Sequence, residues 1–500
     1  MMIMTNNLLI LMIVATFLAA PLVYFTAKKV GKKVSWIVFG VLLTVSIVFA
    51  WLIPVMQHDV VLEEYSWVAS PVKLTFGLLA DGLSVPMIFT YLFIFAFTVL
   101  FSASYMEKRF SFGDLENNNE QYAKFYTFFL LYAASVAGSM LSTNLIAFYM
   151  FYEMALVFSW LLVMLYGYGD RKKNSMLYFL WTQLGGATIL VGILGANWAT
   201  GSFEIADLVN ITSNPYAFWI GLAITIGLFV KMGALGLHGW MPDTYSESPA
   251  PVSAVLGATS VMLGTYSLAR LMPYFYEALY GVSGWLMLWS LLTILYAGVM
   301  ALNQKDTKRL VAYLSQSQMN YCSLGVFAYV PYGVLGAVSY SISHGIAIAL
   351  LFLVSGALLY RTGTRDMNKM GGLGEQLPIV LLATLAGFLT IGGVPPAVGF
   401  KSKFILLSGA FERGLHSSNL ELGIAILAGT LATLVTLGYE FRTIWRVYYG
   451  KLPENLKSIA GIPTTMAVAL IALGALSIAL GIWPASITEP IDVFIEQIFH

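Results

Sequence analysis

The chain has 500 residues, 59% of them hydrophobic and only 10% charged, with a formal net charge of +1. A mean hydropathy of +0.79 excludes an ordinary soluble globule, whose surface needs far more charge, and fits a polytopic membrane protein. The small net charge provides no global field for nucleic acid. A single cysteine, Cys322, excludes a disulfide framework and a thiolate cluster, and five scattered histidines argue against a metal site.

A bilayer span needs roughly 20 apolar residues. Fourteen segments qualify: 7–27, 34–55, 79–104, 126–143, 145–167, 174–197, 217–240, 250–272, 283–303, 309–329, 332–360, 377–411, 421–447 and 463–484. The N-terminal MMIMTNNLLILMIV lacks a basic leading region and a small-residue cleavage site, so it is expected to be the first span rather than a removable signal. Odd-numbered loops carry twenty Lys and Arg, whereas even-numbered loops carry two, Lys73 and Arg413. The imbalance predicts cytoplasmic odd loops and both termini on the outer side of a prokaryotic cytoplasmic membrane. The end of the chain, ASITEPIDVFIEQIFH, is short enough to lie on the surface.

Segments seven and twelve contain breakers. Segment seven reads GLAITIGLFVKMGALGLHGWMPD. Segment twelve carries Pro395-Pro396 in GGVPPAVGFKSKF, and proline lacks the donor that a helix interior needs. A broken helix persists at membrane depth only where protein or a wet cavity satisfies its freed backbone groups, and paired breaks point to a binding or ion pathway. These breaks lie five spans apart. Units of five spans, an odd number, must point in opposite directions across the membrane. The expected fold is therefore all-α and polytopic, with about 14 transmembrane helices, two inverted five-helix repeats, and helices 7 and 12 broken. Its parts are an N-terminal three-helix segment (1–125), a first five-helix unit (126–272), an inverted second unit (283–447), and a final helix with a short tail (448–500).

Charges at membrane depth cost several kcal/mol unless paired or hydrated, so they mark function by default. Four stand out: Glu153, Lys231, Lys401 and Lys403. Glu153 reads either as a neutral carboxyl kept for packing or as a charge tuning a neighbouring lysine. Lys231 reads as half of a fixed pair or as a proton carrier balanced between burial and a carboxylate. Lys401 and Lys403 are two residues apart and point to different helix faces. Lys403 is expected to face the pathway, and Lys401 the lipid interface or a partner. His238 and His344 are candidate relays near neutral pH, or satisfied buried histidines. Gln318, Asn320, Ser341, Ser343, Thr259, Ser260 and Tyr266 would hold water between them, or act as polar glue between helices. Asp81, Asp243 and Glu247 lie near span ends, where loop capping is the plain reading; Asp243 is kept as a further pathway candidate. No phosphate loop, dinucleotide fingerprint or nucleophile elbow appears, so neither cofactor nor metal is expected in this chain.

Five motifs then point to a family: VKMGALGLHGWMPDTYSESPAPVSA, FYEM around Glu153, ALNQKDTKRLVAYLS, SHGIAIALLFLVSGALLYRTGTRDMNKMGGL and GGVPPAVGFKSKF. Together they resemble the antiporter-like subunits shared by respiratory complex I, group 4 membrane-bound hydrogenase-type complexes and multi-subunit cation/proton (Mrp-type) antiporters. The middle antiporter-like subunit of complex I is the most similar in the SHG stretch. The resemblance implies a proton-translocating subunit, with Na⁺ as a second cargo candidate, beside other membrane subunits and without chemistry of its own. It assigns Glu153, Lys231, Lys403, His238 and His344 to the pathway. The alternatives are a subunit of a Na⁺/H⁺ antiporter without redox activity, and a stand-alone secondary transporter. The chain departs from the pattern at segment eight, where Met262 or Gly257 replaces a Lys or His. It departs again at Ile348, where some relatives have Lys, and at Gln318, which stands at a His position.

Overall fold

The computed structural model describes residues 7–68, 74–111, 115–116, 118–417 and 419–499. Lys73, one of the two even-loop cations, falls outside them. The chain begins with α1 (Leu8–Val30) and α2 (Val34–Leu52), then strands β1 (Val61–Val68) and β2 (Leu74–Ala80), then α3 (Ser84–Phe110). Next come α4 (Asn119–Leu141), α5 (Leu145–Tyr166), α6 (Arg171–Thr200), α7 (Ala217–Lys231), α8 (Met241–Glu247) and α9 (Ala250–Leu271). The second half holds α10 (Tyr276–Asn303), α11 (Thr307–Phe327), α12 (Pro331–Thr362), α13 (Pro378–Gly392), α14 (Gly399–His416), α15 (Asn419–Gly429) and α16 (Leu431–Tyr448). It closes with α17 (Thr464–Ile482) and α18 (Ala485–Phe499). The molecule is mostly helical, and among the described residues nine helical stretches are long and apolar enough to cross a membrane. Two shorter apolar helices, α7 and α13, are those that stop early.

Four features differ from the sequence expectation. First, the fold is not purely helical: β1 and β2 form an antiparallel hairpin in the register Val61 to Ala80. The β-branched and aromatic residues of VLEEYSWV and LTFGLLA suit a pleated ribbon. The hairpin also has a task, because Asn7 gives α1 no side-chain cap. Glu63 of β1 substitutes, its carboxylate accepting from Leu9 N at 2.8 Å and Ile10 N at 2.9 Å. Second, the thirteenth apolar segment is interrupted at Thr430, between α15 and α16. Third, the terminal helix α18 does not merely rest on the surface. It buries Ile487, Ile491, Phe494 and Ile495, and the Pro490 carbonyl packs where a Cβ on Gly82 would sit, 1.8 Å away. Fourth, several cations counted as loop residues are buried. Arg109 donates to the carbonyls of Tyr166 and Gly167, Lys308 to that of Ser248, and Arg413 pairs with Glu421 at 3.7 Å.

One local pattern recurs at a constant offset of 162 residues. Leu145 N donates to Phe203 O and Ile205 N to Thr143 O; in the second half Thr307 N donates to Arg365 O and Met367 N to Lys305 O. The turns that carry these bonds match as well. Thr200-Gly201-Ser202 and Thr362-Gly363-Thr364 each cap their helix with a left-handed glycine, at φ 75° and 71°. In each, the first hydroxyl accepts from the third residue's amide at 3.3 Å. The relation is almost silent in sequence because only Thr-Gly-Ser/Thr and the acid two residues later are shared.

α9 and α3 are tied by a buried ion pair. Asp81 caps α3 by accepting from the amides of Leu83 and Ser84, and its other oxygen lies 2.7 Å from Arg270 of α9. Removing one member of such a pair strands a buried charge. Arg270→Met should destabilise the fold by about 3–5 kcal/mol, read as a lowered denaturation midpoint. Adding Asp81→Asn, which keeps the cap and removes the charge, should recover most of that loss.

Candidate functional site

The first site forms where α7 ends. Lys231 is its last residue, 3% exposed, with Nζ 5.1 Å from the centre of the Tyr152 ring. Glu153 follows Tyr152 on α5 and acts electrostatically on Lys231. The carboxylate reaches this place because α6 presents Gly186, where a Cβ would lie 2.2 Å from Glu153 Oε1. That oxygen is buried and makes no hydrogen bond among the described residues. Tyr149 and Gln183 hydrogen-bond the carboxyl, and Lys231 lies within its electrostatic reach; an acceptor oxygen left open there has capacity for a proton.

The broken backbone beyond Lys231 is answered group by group, as an apolar surrounding demands. Trp240 Nε1 binds Val230 O at 3.1 Å, and Trp289 Nε1 binds Leu235 O at 2.8 Å. Two amides of α11 take the carbonyls between them: Asn320 Nδ2 binds Met232 O at 3.3 Å, and Gln316 Nε2 binds Gly233 O at 3.0 Å. The amide oxygens of both side chains, Gln316 Oε1 and Asn320 Oδ1, are buried without a donor among the described residues. Every residue of α11 except Arg309 is buried.

The second site forms between α13 and α14, on the opposite side of α11. Lys403 is 4% exposed, whereas Lys401 faces outward. Lys403 Nζ donates to Gln318 Oε1 at 3.3 Å and to Ile391 O at 3.4 Å, a carbonyl freed by the break. Its ammonium lies over the Tyr321 ring at 4.5 Å. Gln318 is held in turn, accepting from Tyr340 OH at 2.7 Å and donating to Thr436 and Tyr439 at 3.0 Å. It was expected to hold water; here it contacts the lysine directly.

Sequence reading missed one member of this group. Glu440 of α16 is 5% exposed and acts electrostatically on Lys403. Its carboxylate lies against the last residue of α13, where a Cβ on Gly392 would stand 2.8 Å from Oε2. The only signal was an acid within LATLVTLGYEF, hidden by the nearby Arg442 and Arg446 that made the segment end look like a loop.

The remaining candidates fall elsewhere. His344 of α12 shares a 3.4 Å contact with Ser315, and its Nδ1 has no partner among the described residues. His238 is half-buried in the α7–α8 break, accepting from Gly236 N at 3.2 Å and packing on Tyr296. Ser343 meets Ser402, beside Lys403, at 2.8 Å, while Ser341 bonds back to Val338 O. Thr259 bonds within its own helix and Ser260 accepts from Tyr245 OH at 2.9 Å. Tyr266 does not bridge the lysines: it accepts from Arg270 Nε at 3.3 Å and lines a cleft of about 330 Å³ with Glu64, Glu204 and Asp207. Asp243 pairs with Arg309 at 3.1 Å and both are more than 40% exposed, so the pair contributes little. Glu247 binds Arg365 at 3.0 Å. Met262 fills the segment-eight position with its sulfur against Gly345, so no base stands there. Among the described residues no cluster of ligating side chains could hold a metal ion.

With this geometry in hand, comparison with known proteins is informative. Residues 142–436 match a family profile described as NADH:quinone oxidoreductase/Mrp antiporter, transmembrane. The chain is 28% identical over 444 residues to the F(420)H(2) dehydrogenase subunit M of Methanosarcina mazei, covering 85% of this chain and 84% of that one. It is 30% identical over 515 residues to the Na(+)/H(+) antiporter subunit A1 of Staphylococcus saprophyticus, covering 95% of this chain but only 60% of that longer protein. A chain of respiratory complex I from Thermus thermophilus shares the fold, with a TM-score of 0.84 at 22% identity over 99% of this chain and 100% of that one.

The α11 amides make a direct test of how the first break is held. Gln316→Leu or Asn320→Leu leaves one buried carbonyl unpaired, at a cost of about 1–3 kcal/mol. Hydrogen–deuterium exchange should then rise across residues 232–240, with α10 and α12 unchanged.

Proposed function

We infer from its membership of the NADH:quinone oxidoreductase/Mrp antiporter transmembrane family, to which this chain belongs, that it carries ions across a membrane inside a larger assembly. It is an antiporter-like membrane subunit. The observation that carries the finer reading is the placement of two buried lysines at two helix breaks, each within electrostatic reach of a carboxylate that rests on a glycine. We propose H⁺ as the cargo, with Na⁺ as the second candidate. Glu153 sets the charge state of Lys231, and Lys403 serves the other half-channel. Ser315, His344, Gln316 and Asn320 line the polar region between, held by α11 and α12. Drive comes from partners, through redox chemistry or an opposing ion gradient.

The architecture proposed for this task is fourteen spans with five-helix units at 126–272 and 283–447, inverted relative to each other. The hydrogen-bond pattern shared at a 162-residue offset supports the pairing of units, and five spans per unit require the inversion. The distribution of Lys and Arg supports a prokaryotic cytoplasmic membrane with both termini outside. The proposed partners are other membrane subunits, further antiporter-like chains among them, in a complex I-like or membrane-bound hydrogenase-type machine. The likeness to an Na(+)/H(+) antiporter subunit over 95% of this chain favours a second reading, antiport without redox chemistry.

Lys231→Ala and Glu153→Ala should each abolish coupled proton movement in inverted vesicles while leaving assembly of the complex intact. Full pumping by both variants would refute the assigned roles.

A further inference from the structure

We propose that Glu440 is a proton-binding site of its own, exchanging a proton with Lys403 inside this chain. The proposal rests on the ion-translocation reading and adds a group to it.

Placement is the first argument. Lys403 and Glu440 approach the Gly392-Gly393 break from two helices. A Cβ on Gly393 would lie 3.2 Å from Lys403 Cδ, and one on Gly392 would lie 2.8 Å from Glu440 Oε2. Any side chain at position 392 would push the carboxylate away. Valence is the second. Glu440 Oε1 is buried and has no donor among the described residues, and Lys403 donates only to neutral oxygens, at 3.3 and 3.4 Å. A pair kept only for packing would be expected to use these valences, because each buried polar atom left unpaired is costly. Here both groups keep capacity for a proton to move between them.

The step balances simply. Lys403 and Glu440 interact electrostatically without a direct hydrogen bond, so one water carries the proton between them. The Lys403 ammonium gives a proton to the water as the water passes one of its own to the Glu440 carboxylate, so one N–H bond breaks and one carboxyl O–H bond forms. Both groups become neutral, and the reverse transfer restores both charges. The titratable groups facing Glu440 are Lys403 from α14, Tyr340 from α12 and Tyr439 on its own helix; His344 of α12 acts on Lys403.

The test uses the intact complex in native membrane vesicles, with Lys231→Ala as the control for translocation itself. Glu440→Gln should lower proton translocation by about 10²-fold or more, the scale of a lost proton-transfer group, while Glu440→Asp retains most of it. Infrared difference spectra across a pH titration should show a protonated-carboxyl band that shifts in Glu440→Asp and vanishes in Glu440→Gln. Wild-type translocation with an unchanged pH profile in Glu440→Gln would overturn the proposal. If Lys231→Ala is blocked at the same time, the translocation reading stands without it; if Lys231→Ala also pumps, that reading falls first. Should Glu440→Gln fail to assemble, the charge-neutral double variant Lys403→Met/Glu440→Gln decides. Translocation by the double variant, or an infrared band unmoved in Glu440→Asp, would overturn the assignment.

Discussion

Two helices stop inside an apolar bundle, and the carbonyls each break frees have to be answered by neighbouring side chains. The carbonyls freed after Lys231 and after Gly392 lie where bulk water does not compensate them, and each left unpaired would cost about 1–3 kcal/mol. α11 works at both from two faces. Gln316 and Asn320, one turn apart, donate to carbonyls of the first break. Gln318, set between them in sequence and therefore on another face, accepts from Lys403, which with Tyr340 donates to Ile391 O at the second. The almost complete burial of α11, despite its many amides and hydroxyls, follows from this double duty.

The same requirement explains where the charges sit. A helix end concentrates unpaired carbonyls, and a lysine placed there finds acceptors that an unbroken helix would have consumed internally. Lys403 uses Ile391 O in this way. Carboxylates then approach from neighbouring helices, and they can do so only where a glycine leaves room, at Gly186 for Glu153 and at Gly392 for Glu440. Close approach without saturation of the hydrogen bonds leaves both lysines tied electrostatically to an acid that still has an open valence.

Between the two breaks, α11 and α12 carry buried polar side chains. Met262 closes the α9 side by packing against Gly345, while Ser315 and His344 face each other across the α11–α12 contact. The α11 amides that bind Met232 O and Gly233 O cannot be exchanged for apolar side chains without loosening the first break.

The apolar periodicity, the breakers in segments seven and twelve, and the isolated charges at Glu153, Lys231 and Lys403 were all readable along the chain, because each is a local departure from what lipid tolerates. The β-hairpin was missed because its strands are brief and amphipathic beside long apolar helices. Glu440 was missed because two arginines close behind it made its helix end look solvated. The hydrogen-bond pattern that recurs at a 162-residue offset was hidden because it lives in backbone bonds that many side chains allow. Sequence alone determined that this protein lies in a membrane with two broken helices and buried lysines, since composition and hydropathy act locally. Only the tertiary structure decided which carboxylate meets which lysine, because that depends on glycines and amides contributed by helices distant along the chain.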